Sequence, residues 1–377
     1  MILTYSIINF LGTFILHIES FNNALKVVRP KFILLLYFYL RAFKKKDFKI
    51  FVKWAFVATF IQGIFYYMQL VGVNVLSGRV DEADSVGELT RFANYPIMAA
   101  FFVIYYVISE KVTAIHKLFV FSFFGMMLII AQMRGAVIGL GAALALFFLL
   151  KRHAKYIGYI AVGIVAYLLV VAPMFEYRTR NKSRSTFQEI TDVVTDPTNT
   201  YSQFYRYGIG GNFSFRIAML AERVKFVIDK PEYIPFGVGC IHEESKANKF
   251  FFQLGTHNER FRFGYGMLSS ADIAWVGLLM RFGIIGVILH LLLFYAWARQ
   301  GIPQVKKSDD PLLITCAVLV VSQFLTSFDS DILGRIPPMM SILFYLAVIY
   351  RYNRVRLFTD FISKHKENNI SYNFYDN

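Results

Sequence analysis

Long apolar stretches joined by short connections make up this chain, except for one polar segment at 176–271. A helix that crosses the hydrocarbon core of a bilayer needs about 20 mostly apolar residues, and by that test the sequence predicts about ten spans. Of all residues, 56% are hydrophobic and only 17% are charged, which is typical of polytopic membrane proteins. The sequence therefore predicts an all-α polytopic membrane protein with one large loop.

The second predicted span is the weakest, because Lys26, Pro30 and Lys31 lie near its start; it is alternatively a short, re-entrant or interfacial helix. The predicted domains are an N-terminal transmembrane bundle (1–175), the large loop (176–271), C-terminal transmembrane helices (272–350) and a tail (351–377). The predicted spans are 2–17, 24–40, 50–73, 92–109, 117–132, 135–150, 156–175, 272–298, 311–328 and 336–350.

The short connections indicate the orientation. Those at 41–49, 110–117, 151–155 and 299–307 are weighted toward lysine and arginine, and ten spans place them on one side together with both termini. The connection at 77–91 falls on the other side and is acidic. Cytoplasmic loops carry an excess of Lys and Arg, so we expect cytoplasmic termini and an extracytoplasmic large loop.

The large loop is basic and contains one predicted helix. The segment from Phe213 to Asp229 has the spacing of an amphipathic helix, and Pro231 ends it. The next residues, Pro235 to Gly239, predict a tight turn. A formal net charge of +15 would suggest nucleic acid in a soluble protein. Here orientation signals explain much of it, and no nucleic-acid partner is predicted.

Two arginines are candidates for binding an anionic substrate. Arg134 lies between two predicted spans on the loop side, where a charge is costly unless it is paired or faces water. Arg216 lies on the loop helix and could reach the same site. A planar guanidinium suits a diphosphate. The structural alternatives are a snorkelling Arg134 and a solvated basic face around Arg216.

Other candidates surround these two. Asp272 opens an apolar span, where it is either a functional acid or an ordinary N-cap. His257 is either catalytic or structural, and Glu243 is a further candidate carboxylate. Additional candidates for binding diphosphate or sugar are Arg91, Arg178, Arg180 and Arg223. Metal-ligand and nucleotide-binding motifs are lacking in the sequence, so we expect metal-independent chemistry without a cofactor.

Several of these segments resemble one family in their order along the chain. They are Arg91–Asn94, Met133–Ala136, Phe215–Arg216, Pro235–Gly239 and Asp272–Gly286. Over roughly residues 75 to 300 the chain resembles the bacterial O-antigen ligase/polymerase superfamily of polytopic glycosyltransferases.

The resemblance implies a fold like the GT-C-type membrane transferases, in the bacterial inner membrane. Donor sugars would be carried on undecaprenyl diphosphate, and arginines at the positions of Arg134 and Arg216 would stabilise the departing diphosphate. A chain-length regulator is an expected partner, beside lipid-linked oligosaccharides and membrane lipid.

One departure from the family pattern separates two activities. In the ligases a His-Asn pair opens the span that ends in Phe/Leu-Gly-x-x-Gly, whereas this chain has Asp272 there and His257-Asn258 earlier. We therefore expect a repeat-unit polymerase of O-antigen, capsule or exopolysaccharide. The close alternative is an O-antigen ligase acting on lipid A-core. The alternative from another class is a lipid-linked sugar flippase, which would place charges along several spans and show two related halves.

Overall fold

The computed structural model describes residues 1–69, 73, 96–130, 134–151, 195, 212–243, 245–250, 252, 254, 268, 273–328, 330–333 and 336–372. Within these ranges the chain is helical and has no β-strand. The α-helices are α1 (Ile2–Ile15), α2 (Phe21–Val28), α3 (Leu35–Arg41), α4 (Lys45–Met68), α5 (Ala99–Ile108), α6 (Ala114–Val120), α7 (Met126–Ile130), α8 (Arg134–Lys151), α9 (Asn212–Asp229), α10 (Ala274–Lys307), α11 (Pro311–Thr326) and α12 (Ile336–Tyr372).

The predicted span at 24–40 is a broken helix. It consists of α2, a 3₁₀ helix at Arg29–Leu34, and α3. Pro30 has no backbone N–H, and proline disfavours the α conformation of the residue before it. The tighter 3₁₀ turn accommodates proline near its start. The structure therefore confirms that this stretch differs from a continuous span.

The other predicted spans coincide with helices, apart from 156–175, which lies outside the described residues. In the part of the chain that the structure describes, two helices, α4 and α10, are long and apolar enough to cross a membrane. The apolar helices at Ile2–Ile15, Ala99–Ile108, Ala114–Leu128 and Pro311–Thr326 are shorter, and the count of ten spans stays a prediction.

The outer faces of α4 and α10 are apolar. In the most apolar 18-residue window of each helix, only 22% of α4 and 39% of α10 is buried within the molecule. Exposed side chains include Trp54 and Ile61 on α4, and Ile288 and Leu292 on α10. A helix in the core of a soluble protein is buried over most of its surface, and large exposed apolar faces mark contact with a partner or with lipid. These faces are typical of lipid-facing helices.

The centre of the molecule is α11. Its residues from Leu312 to Val320 are all buried, on every side of the helix. It packs against α5, α8, α10 and α12. A helix that is hydrophobic all round is stable only when neighbours surround it.

Polar contacts join three connections at one end of the helices. Lys45 lies 2.9 Å from Asp310, and the Tyr352 hydroxyl donates to Asp310 at 2.8 Å. Arg41 donates to the Tyr350 hydroxyl at 2.5 Å. The predicted topology placed the connection at 41–49, the one before α11 and the tail on one side. In the structure the start of α4, the residue before α11 and α12 meet at one end of the helices, and the side of the membrane on which that end lies stays a prediction.

Candidate functional site

Helix α10 is interrupted at Gly283. This residue has φ 61° and ψ −166°, inside a helix that is otherwise regular enough to run from Ala274 to Lys307. That region of backbone conformation is essentially restricted to glycine. The break removes helical hydrogen bonds on both sides, and another part of the chain must supply partners for the freed groups.

The turn at 235–239 fills this break. The N–H of Val238 donates to the carbonyl of Met280 at 2.7 Å, and the N–H of Ile284 donates to the carbonyl of Ile234 at 2.8 Å. A third bond runs from Ile285 to the carbonyl of Pro235 at 3.3 Å. The predicted tight turn is therefore confirmed. We call the turn 235–239 together with Met280–Ile285 the joint.

Two glycines permit the close approach in the joint. A Cβ atom on Gly283 would lie 2.4 Å from the Pro235 carbonyl oxygen, and one on Gly237 would lie 2.5 Å from the Met280 carbonyl oxygen. Gly237 also has a positive φ of 70°. Any larger residue at either position would push two backbone segments apart.

Helix α1 covers the joint with one polar face. Tyr5, Asn9 and Thr13 follow one another at four-residue intervals, which places them on one side of the helix. Their contacts are Tyr5 hydroxyl to Phe282 carbonyl at 2.6 Å, Asn9 amide to Phe236 carbonyl at 2.9 Å, and Cys240 N–H to Thr13 hydroxyl at 3.0 Å. Helix α1 thereby provides hydrogen-bond partners for backbone groups that have none within the broken helix or the turn.

A cavity of about 230 Å³ lies against the joint. Its polar lining consists of Lys26, Lys31, His242, Arg281 and Asp331. These residues come from α2, the 3₁₀ helix, the loop after the turn, α10 and the segment after α11. We call this the joint cavity. Three lysine or arginine side chains and one carboxylate line it, so its lining is basic.

Lys31 is the most deeply buried charge in the joint cavity, with 4% of its surface exposed. Its ammonium donates to the Leu333 carbonyl at 3.0 Å and lies 3.4 Å from Nε2 of His290. Nδ1 of His290 lies 2.8 Å from the Gly286 carbonyl, which can only accept a hydrogen bond. The proton of His290 is therefore on Nδ1, and Nε2 accepts from Lys31.

Arg281 lies in the turn of α10 before the break. Its guanidinium donates to the Glu243 carboxylate at 3.0 Å, and both side chains are about one-fifth exposed, at 21% and 18%. Glu243 is one of the predicted substrate-binding residues. The structure places it beside the joint cavity through this ion pair.

The predicted loop helix is confirmed as α9 (Asn212–Asp229), which packs against α10. Arg216 lies in its second turn and is partly buried. Arg216 therefore lies on a helix that contacts the broken helix. Its predicted contact with a diphosphate stays a prediction.

Arg223 on the same helix is fully buried. It forms an ion pair with Glu222 at 2.5 Å, donates to the Leu254 carbonyl at 2.5 Å, and stacks over the Phe252 ring at 4.1 Å. Burial lowers the pKa of Arg223 to about 10, while Glu222 and Glu243 act in the opposite direction. These contacts attach α9 to the segment around 252–254, which is a structural role. The predicted role of Arg223 in substrate binding stays a prediction.

The side chains of the remaining predicted site residues lie outside the part of the molecule that the structure describes. The backbone of Arg134 begins α8, but its side chain is outside the described part of the molecule. The other predicted residues outside the described ranges are Arg91, Arg178, Arg180, His257 and Asp272.

The sequence interpretation did not select Lys31 or Arg281 as site residues. In the sequence, Lys31 lies near the start of the weak second span, and Arg281 lies within the Asp272–Gly286 segment of the family resemblance. A lysine inside an apolar stretch is itself a signal of function, because its burial is costly without a purpose. That signal would have identified Lys31.

No protein-family model matches this chain, and neither a curated protein nor a solved structure is significantly similar to it. Among the described residues, no group of three or more His, Cys, Asp or Glu side chains is arranged to hold a metal ion. The function is therefore inferred from the geometry of the joint and its cavity.

Proposed function

We propose that the protein is a multi-pass glycosyltransferase of the bacterial inner membrane, and specifically a repeat-unit polymerase of O-antigen, capsule or exopolysaccharide synthesis. It transfers a growing glycan from undecaprenyl diphosphate to the non-reducing sugar of a new lipid-linked repeat unit. Its large loop faces the outside of the cytoplasm, and both termini face the cytoplasm.

The joint is the observation that carries this proposal. Two of the segments behind the family resemblance, Pro235–Gly239 and Asp272–Gly286, hydrogen-bond directly to each other, through residues more than 40 positions apart in the sequence. A break in an apolar helix is tolerated only where protein covers it or a cavity adjoins it, and such breaks form substrate sites in membrane proteins. Here the adjoining cavity is basic, as an anionic lipid-linked substrate requires.

The proposed reaction is a glycosyl transfer in which arginines stabilise the negative charge of the leaving diphosphate. A hydroxyl of the acceptor sugar attacks the anomeric carbon of the donor glycan and forms the new glycosidic bond. The bond between that carbon and the diphosphate oxygen breaks, and the diphosphate leaves with the bonding electron pair. Arg134 and Arg216 stabilise this developing charge. No cofactor takes part.

A general base accepts the proton of the attacking hydroxyl. Asp272, His257 and Glu243 were the sequence candidates. Glu243 already accepts a hydrogen bond from Arg281, so one of its two carboxylate oxygens is engaged. Asp272 and His257 are therefore the stronger candidates.

The test is the surface polysaccharide of the native bacterium with the gene deleted and then restored as wild type or as Arg216→Ala at equal protein level. We expect the deletion and Arg216→Ala to leave a single repeat unit on its acceptor in place of a ladder. Polymer that remains on its lipid carrier would instead identify a ligase. Loss of all surface glycan, with repeat units held inside the cell, would identify a flippase. An unchanged ladder in Arg216→Ala would remove Arg216 from the mechanism.

A further inference from the structure

The charges of the joint cavity increase in burial from its rim to its floor. Lys26 is exposed, His242 and Arg281 are partly buried, and Lys31 is buried. These groups come from separate elements that meet only in the folded chain. A cation of this depth is expensive to bury, and a series of cations that leads inward to it is typical of an anion-binding site.

Among the side chains that line the cavity, cations outnumber carboxylates. The cations are Lys26, Lys31 and Arg281, and the one carboxylate is Asp331. Two further carboxylates lie beside the lining, where Glu243 accepts from Arg281 and Glu19 accepts from the backbone N–H of His242. Lys31 has three N–H donors, and the hydrogen bonds of the described structure, to Leu333 and His290, use two of them.

The first turn of α10 adds to the positive potential. Ala274 and Gly277 of this turn also line the cavity. The N-terminus of a helix carries partial positive charge and free N–H groups. Its N-cap is Ile273, which has no polar side chain to accept from these groups; the N–H of Ala274 donates to the Ser327 carbonyl at 3.1 Å. The dipole of the helix segment before the break therefore acts in the same direction as the cations.

The size of the cavity restricts the ligand. Its volume of about 230 Å³ lies below the range of about 300–1,000 Å³ that drug-sized ligands occupy. It therefore fits a small anionic group better than a sugar chain. Exposed apolar side chains of the joint, Phe236 and Ile284, lie nearby and suit a hydrocarbon chain.

We propose that the joint cavity, lined by Lys26, Lys31, His242 and Arg281, binds the phosphate or diphosphate headgroup of a polyprenyl lipid. This site is additional to the predicted arginine pair, Arg134 and Arg216. The choice of a polyprenyl lipid as the ligand rests on the proposed function. That the cavity binds a small anionic group follows from its charged lining and its volume.

The experiment measures binding of undecaprenyl diphosphate to the purified full chain by native mass spectrometry, with inorganic pyrophosphate and phosphate-free undecaprenol as competitors. The variants are Lys26→Gln, Lys31→Gln and Arg281→Gln. Lys46→Gln is the matched control, because Lys46 is exposed at the end of the molecule where Lys45 and Asp310 meet. Each variant removes one positive charge.

We expect Lys31→Gln and Arg281→Gln to weaken binding by about 10- to 100-fold, since each removes a hydrogen bond to a charged group. Lys26→Gln, on the rim, weakens it by about 2- to 5-fold. Lys46→Gln leaves it unchanged, and undecaprenol does not compete. Lys31→Gln is compared only if its melting temperature matches the wild type; otherwise Arg281→Gln and Lys26→Gln decide the question.

Unchanged binding in Arg281→Gln and Lys26→Gln would overturn the proposal. Full competition by pyrophosphate at equal concentration would keep the anion site but overturn the lipid as its ligand. The polysaccharide profile is a separate readout. If deletion of the gene left the ladder intact, the polymerase would be refuted while the binding result would stand. If deletion abolished the ladder but the cavity variants bound the lipid as the wild type does, only the proposed site would be refuted.

Discussion

Replacement of Gly283 by alanine should open the joint. Gly283 has a backbone conformation that an L-residue adopts only under strain, and its new Cβ would meet the Pro235 carbonyl oxygen at 2.4 Å and the Gly237 nitrogen at 2.5 Å. Both are backbone atoms, so no side-chain rotation relieves the overlap. The turn at 235–239 must therefore move away from α10.

The cost has two parts. A non-glycine residue in this region of backbone conformation costs about 1–3 kcal/mol. Separation of the turn also gives up the three backbone hydrogen bonds between the turn and α10, at about 0.5–1.5 kcal/mol each. Together these terms amount to about 2.5–7.5 kcal/mol, against a total stability of about 5–15 kcal/mol for a typical domain. The joint is therefore expected to open while the rest of the chain stays folded.

Cys240 reports this opening. It is fully buried beside the joint, and burial raises the pKa of its thiol to about 12, although Arg281, Thr13 and Lys31 act to lower it. Its rate of labelling by a maleimide therefore follows the population of the open joint. In a Cys316→Ala background, where Cys240 is the only cysteine, we expect Gly283→Ala to label at least about 30-fold faster than the parent protein.

The matched control is Gly141→Ala on α8, where an added Cβ has no heavy atom within 4 Å. We expect this variant to label at the parent rate. If Gly283→Ala also labelled at the parent rate and melted at the parent temperature, the described contact between the turn and the helix would be wrong.

Three further variants test individual contacts by thermal unfolding of the purified protein. Tyr5→Phe removes the hydroxyl that donates to the broken helix at 2.6 Å and should cost about 1 kcal/mol; an unchanged melting temperature would contradict that bond. Arg223→Met removes a fully buried guanidinium from its ion pair with Glu222 and from its hydrogen bond to the Leu254 carbonyl, and should cost about 3–5 kcal/mol, whereas Lys225→Met on the exposed side of the same helix should cost little. Burial raises the pKa of Asp310, but hydrogen bonds from Lys45 and Tyr352 outweigh this and lower it below its ordinary value. The contribution of Asp310 is therefore present at neutral pH and is lost as the pH falls below about 4 toward that lowered pKa, so Asp310→Asn should flatten the acid branch of the stability profile.

The helices were the predictable part of this molecule. Apolar periodicity and proline positions located α9 and the broken second stretch, because both signals act within a few residues. The excess of basic residues in the short connections predicts that 41–49, 299–307 and the tail share one side, and the structure brings Lys45, Asp310 and Tyr352 together at one end of the helices.

The joint was not predictable from local signals. Pro235–Gly239 indicated a turn, and Gly283 lay in an apolar helical pattern, but nothing in either segment indicated that one would enter the other. Their contact depends on the loop returning to α10, which is a tertiary event. For the same reason the sequence could not show that Lys31 and Arg281 share a cavity, although each was visible as a charge among apolar residues.

The most direct test of the central claim is reconstitution. The purified protein would be placed in liposomes with undecaprenyl-diphosphate-linked repeat units from its own bacterium, and the products separated by gel electrophoresis. We predict a ladder of lipid-linked polymers that forms without added metal or nucleotide. Repeat units that remain monomeric, but are transferred once lipid A-core is supplied, would contradict the polymerase and establish the ligase.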